Sequence, residues 1–192
     1  LRLKDSGKML HVFTKEEKNS LKELMLCKRP DWEVLFHLYY DQKLNPMSFL
    51  KSEEFLNILT ECCIKDYPYT PFADAFHTMR SMLLPVLYLM GSEVPKADVY
   101  HAICTGYGGL LASLAGYVYG KKILLTEHGI YTREREEEII RAKWVQPVFK
   151  KQWISFFYML SDIIYTRAFR VSCLFSNAML AQIQMGCDEE KC

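Results

Sequence analysis

In the run Leu124-Leu125-Thr126-Glu127-His128-Gly129, an apolar segment ends on two titratable side chains and a glycine. Imidazole changes protonation near neutral pH, so a histidine carried into a cleft at a strand end can accept a proton or bind a hydroxyl. Gly129 frees the backbone to turn directly after it. The structural alternative for His128 is a side chain that caps the next helix or satisfies a loop carbonyl. Glu127 can orient the imidazole or meet a substrate hydroxyl. It can also face the other way, because successive strand residues point to opposite sides. A second run, Val99-Tyr100-His101-Ala102-Ile103-Cys104, leads into Thr105-Gly106-Tyr107-Gly108-Gly109. His101 lies inside it, where a histidine is more often a satisfied core residue than a ligand. The glycines after it let backbone amides approach a ligand, and a helix N-terminus favours anions. Their spacing matches neither a dinucleotide fingerprint nor a Walker loop, and close helix–strand packing accounts for them about as well.

Other suggestive residues have plainer explanations. Arg133 opens a charged stretch and can contact a phosphate or an acidic sugar. Its neighbours Glu137 and Arg141 form an i,i+4 pair of the kind found on solvated faces. Ser176 and Asn177 read as a helix N-cap pair. Trp144 and Trp153 read as core. His101 and Cys104 sit three residues apart across a strand end, so opposite faces are expected, which argues against a Cys–His nucleophile pair.

The elements that must hold these residues fall into two patterns. Residues 9–92 read as mostly helical. Thr14-Lys15-Glu16-Glu17 is a capping box, and Leu21, Leu24, Met25 and Lys28 follow at helical spacing. Asp31 caps a second segment with Val34, Leu35, Leu38 and Tyr39 on one face. Asn45-Pro46 breaks the chain, Ser52 starts another helix, and a long helix spans 72–90, bent near Pro85. Residues 97–186 alternate instead. Strands are expected at 99–103, 122–126 and 170–175, with helices at 108–119, 131–143, 145–169 and 176–185. Such alternation with short joints predicts a parallel, Rossmann-like sheet with flanking helices. Ligands in such sheets bind outside the carboxyl ends of the strands, which is where the suggestive residues fall.

Totals bound the function. At 192 residues the chain can bury a sizeable core, and half of it is hydrophobic. The formal charge of +1 gives no electrostatic reason to expect nucleic acid. No apolar run approaches the ~20 residues of a membrane span, and the start lacks a signal-peptide pattern. Seven cysteines without a CxxC pair read as buried or half-buried free thiols of a reducing cytosol. The spacing of Cys187 and Cys192 matches no zinc signature.

Three stretches also carry a resemblance. YHAICTGYGGLLASLAG (100–116), LLTEHGIYTREREEEIIRAKW (124–144) and, more loosely, KKQWISFF (150–157) resemble the N-terminal domain of the PelF-type glycosyltransferases of family 4. The resemblance implies a GT-B fold and a retaining hexosyltransferase active in bacterial exopolysaccharide synthesis. It implies transfer from a nucleotide-sugar, thought to be UDP-linked, to a polysaccharide acceptor, with no catalytic metal and no cofactor besides the donor. Cytoplasmic location is implied, with inner-membrane polysaccharide export proteins as partners. His128 matches a strand-end histidine of that family, with Glu127 beside it as the second catalytic candidate. His101, Thr105, Gly106, Gly108, Gly129 and Arg133 become the substrate-binding candidates. The chain departs from the family in lacking a first strand and glycine loop before Lys8, and the donor-binding domain with its glutamates. On this reading residues 1–192 form one N-terminal lobe, incomplete at its first strand and expected to be inactive alone. The rival reading is a non-catalytic α/β binding or scaffold domain. A hydrolase using Glu127 as base finds no nucleophile elbow or paired carboxylate to support it.

Overall fold

The computed structural model describes residues 11–192. The expectation about the segment before Lys8 lies outside them. The helical region begins at the capping box: the Glu17 amide donates to Thr14 Oγ1 (3.2 Å), and the Thr14 amide donates to Glu17 Oε2 (2.8 Å). Helix α1 (Lys15–Met25) ends sooner than its pattern suggests. Cys27 turns to φ 50, so Lys28 lies beyond the helix rather than on its face. Asp31 caps α2 (Trp32–Phe36) by accepting from two first-turn amides, and a π-helical turn (His37–Asp41) continues it. Asn45-Pro46, expected as a break, instead starts α3 (Pro46–Leu50), with Asn45 as cap. Proline suits a first helical turn because its missing N–H would have no partner there. Ser52 caps α4 (Glu53–Asp66), and α5 (Phe72–Met90) runs through Pro85. The interior of this region is apolar, built on Leu21, Leu24, Leu35, Phe49, Phe55 and Val86.

The second region is α/β. Strand β1 (Val99–Ala102) leads to α6 (Gly106–Tyr119), then β2 (Lys122–Glu127) and α7 (Tyr131–Arg141). A 3₁₀ turn (Pro147–Phe149) precedes α8 (Lys150–Arg167), followed by β3 (Arg170–Cys173) and α9 (Ser176–Gln184). Two helix starts differ from expectation, and α7, α8 and α9 end one or two residues short of it. Helix α6 begins at Gly106, two residues early, and α8 begins only after the Pro147 turn. Ser176 opens α9 without a side-chain cap bond, so the expected Ser176–Asn177 cap is absent.

The sheet has the order β1-β2-β3, and both pairings are parallel. Three strands laid down in one direction with crossovers of one hand place every connecting helix on the same face. Ala102, Ile123, Leu125 and Val171 accordingly pack inward against Ile164, Tyr165 and Ala168. The helices therefore flank one face of the sheet rather than wrapping both. The opposite face stays open among the described residues, and Ile103, just past β1, is 66% exposed. Helix α6 meets α8 closely because Gly109 has no side chain: a Cβ there would stand 2.8 Å from Ile164 Cγ2. Trp144, expected in the core, is 67% exposed and meets the half-buried Trp153 edge-on.

Candidate functional site

The carboxyl ends of β1 and β2 lie side by side, since Ala102 pairs with Leu125. This brings the Thr105–Gly109 turn and the Glu127–Gly129 turn to one edge of the sheet. The alternation of β2 then divides its last residues. Ile123, Leu125 and Glu127 face the helices, while Lys122, Leu124 and Thr126 face the open side. His128, one residue past the strand, is exposed. Gly129 is half-buried beneath Glu134: a Cβ there would collide with that carboxylate. Glu134 thus lies over the first turn of α7, where a negative charge is favoured by the helix N-terminus.

Glu127 does not border a solvent cleft as expected. It is 1% exposed, and its Oε2 accepts from the Tyr165 hydroxyl (2.6 Å) and from Gln182 Nε2 (2.9 Å). Burial raises its carboxyl above the ordinary value of 4.5, opposed by the hydrogen bonds from Tyr165 and Gln182 and more weakly by the Tyr131 amide and the Thr105 hydroxyl. The buried Oε1 makes no hydrogen bond of ordinary geometry, and neither does Gln182 Oε1 or Thr132 Oγ1. Tyr165 is pushed far above its ordinary range by burial first and then by the Glu127 charge.

Thr105 is also fully buried, contrary to expectation, and Ser161 Oγ donates to its hydroxyl (2.7 Å). Ser161 and Tyr165 lie four residues apart on α8, so one helix face serves the ends of both strands. Gly106 is buried at φ +66 beneath the Tyr131 ring, and a Cβ would stand 2.5 Å from Tyr131 Cε1. Gly108 is exposed beside the Cys104 thiol. These glycines are explained by close packing, with only Gly108 open to solvent. Arg133 is exposed on α7. The Glu137–Arg141 pair forms as expected, at 3.4 Å.

His101 is neither a core residue nor at the carboxyl edge. It projects from the open face, where its Nε2 lies 2.8 Å from Thr126 Oγ1. Thr126 Oγ1 lies 2.7 Å from Ser172 Oγ, which donates to the Leu125 carbonyl (3.4 Å). These contacts link His101, Thr126 and Ser172 across all three strands. The structure brings His128, Gly129 and Gly108 to one exposed edge, buries Glu127, Thr105 and Gly106 beneath it, and sets His101 apart.

Tyr165, Gln182, Ser161 and Glu134 were not singled out from the sequence. The signal was present for two of them: Ser161 and Tyr165 interrupt the apolar stripe Leu160, Ile163, Ile164 at helical spacing. A cleft of about 730 Å³ opens elsewhere, between the Cys27–Arg29 turn and the outer side of α8, with Lys28, Lys151 and Tyr158 in its lining. None of the expected site residues lines it.

One comparison decides the kinship of this edge. The family described as Domain of unknown function (DUF3492) matches residues 3–190. The chain belongs to that family. No curated protein and no solved structure matches it. The DUF3492 match thus covers the helical region, the three strands and the His128 edge alike. Among the described residues, no helix is long and apolar enough to cross a membrane.

Proposed function

We propose that this DUF3492 chain is the N-terminal lobe of a retaining, GT-B-type glycosyltransferase resembling the PelF enzymes of family 4. The lobe would help move a sugar from a nucleotide-sugar, UDP-linked by the resemblance, to a polysaccharide acceptor. One observation carries the reading: the two segments with the strongest family wording end neighbouring parallel strands on the same edge, with His128 exposed there. Ligands of open α/β sheets bind at that edge. His128 is the group that would touch acceptor or donor sugar. Glu127 becomes a positioning residue, buried behind His128 and tied to α8 and α9 through Tyr165 and Gln182. Gly108 leaves room for substrate, Gly129 lets the chain turn after His128, and Arg133 supplies a cation beside them.

The test is substitution within the polypeptide that carries this lobe and its partner lobe. His128→Ala should lower sugar transfer by up to ~10²–10⁴-fold if the imidazole handles a proton. Circular dichroism should stay unchanged. Unaltered turnover would assign His128 a structural role.

The open sheet face favours a second reading, a binding domain without catalysis. Parallel sheets are generally covered on both faces. Here Val99, Ile103 and Leu174 are exposed on or beside the open face. A double substitution, Ile103→Lys with Leu174→Lys, separates the readings. It should leave transfer intact if the His128 edge is the functional one, and any transfer at all excludes the non-catalytic reading.

A further inference from the structure

All seven cysteines carry free thiols. Two of them stand in direct contact: Cys187 Sγ and Cys192 Sγ are 3.5 Å apart. The contact is built by the local fold. Gly186, at φ +103, ends α9, and the Cys187 amide donates to the Gln182 carbonyl (3.0 Å). The chain then makes a 3₁₀ turn (Glu189–Lys191), in which the Glu190 amide donates to Asp188 Oδ1 (3.0 Å). That turn carries Cys192 back over Cys187, and each thiol lies near the Asp188 carbonyl, at 3.6 and 3.7 Å. The turn is fastened independently. Lys191 Nζ donates to the Tyr165 and Thr166 carbonyls at the end of α8, at 2.9 and 2.7 Å, and Arg170 donates to the Glu190 carbonyl. The two sulfurs are therefore held together by groups other than themselves.

We propose that Cys187 and Cys192 form a reversible dithiol–disulfide modification site, oxidised by low-molecular-weight disulfides of the glutathione class. The two thiols have different parts. Cys187 is buried, and Cys192 is half-buried. Burial, then the hydrogen bond with Cys192, pushes the Cys187 thiol up, while the Lys191 ammonium favours its thiolate. Cys192 is thus the sulfur that meets the reagent. Its thiolate attacks one sulfur of the small disulfide; that S–S bond breaks, one glutathione thiolate leaves and takes up a proton, and a mixed disulfide forms on Cys192. Cys187 then gives up its proton to solvent and its sulfur attacks Cys192 Sγ, expelling the second glutathione. Two protein thiols lose two electrons, and one glutathione disulfide becomes two thiols. Exchange follows access and thiolate character. Contact between the sulfurs compensates for the poor ionisation of Cys187, because the second step is intramolecular.

The bond would pin the C-cap of α9 to the turn that covers the end of α8. Gln182, whose carbonyl accepts from Cys187, also holds Glu127 through its side chain. Oxidation therefore stiffens the support behind the His128 edge, whatever that edge binds.

The experiment is to incubate the native chain with oxidised glutathione, quench with acid, alkylate, and map the cysteines by mass spectrometry. The expected product has lost the two thiol hydrogens, with one bond linking the Cys187 and Cys192 peptides and full reversal by dithiothreitol. Cys187→Ala should stop at a stable glutathione adduct on Cys192. Cys192→Ser should leave Cys187 unmodified. Amide exchange at Cys187 should slow in the oxidised wild type. A wild-type chain that accumulates the adduct on Cys192, forms its bond elsewhere, or keeps both thiols would overturn the proposal.

Discussion

Glu127 is the residue where sequence and environment disagree most. Its place in an alternating strand left its direction open, and the structure turns it inward, onto Tyr165 and Gln182. Burial raises its carboxyl, so the folded state holds the proton more tightly than the unfolded chain does. The sign follows. Stability from this group is fully present below the unfolded value near 4.5 and is lost as pH rises through the folded value. Glu127→Gln mimics the protonated carboxyl. It should raise the melting temperature at pH 7 and flatten the decline of stability with pH, read by thermal denaturation across a pH series. A Glu127→Gln chain melting below wild type at pH 7 would show that the carboxylate is the stabilising form. Glu127→Ala should instead destabilise, by about 1–3 kcal/mol for each donor left unpaired.

At the scale of elements, side-chain caps set several helix starts. Thr14, Asp31 and Ser52 cap helices where their side chains and following residues imply. The misreadings have physical reasons. Asn45-Pro46 punctuates a chain equally well as a break or a helix start, and only the next turn decides. Trp144 reads as core, but the turn before α8 leaves it outside. Burial of Thr105 depends on Ser161, 56 residues away, and no local pattern reports such a partner. The covering of one sheet face was also hidden, since it follows from strand order rather than from any strand's own residues. The α6–α8 contact yields a prediction. Gly109→Ala would drive a Cβ into Ile164 and should cost about 1–3 kcal/mol, as overpacking does. Gly120→Ala, at φ +62 with nothing within 4 Å, should cost about 1 kcal/mol from its left-handed backbone alone. Equal losses in urea denaturation would remove the packing argument.

For the whole molecule, the proposed chemistry belongs to two lobes. Holding donor and acceptor in attack geometry can account for ~7–11 kcal/mol of a barrier, and a single lobe holds only one side of that arrangement. The open sheet face and the buried Glu127 are compatible with a lobe that presents an edge rather than a finished pocket. The most direct measurement is transfer from a radiolabelled UDP-sugar to polysaccharide. It would compare residues 1–192 alone, the polypeptide joined to its second lobe, and that polypeptide with His128→Ala. The glycosyltransferase reading predicts transfer by the joined polypeptide, strong loss with His128→Ala, and none by residues 1–192 alone. Clear turnover by the isolated 192 residues, or none by the joined polypeptide with any nucleotide-sugar offered, would contradict it.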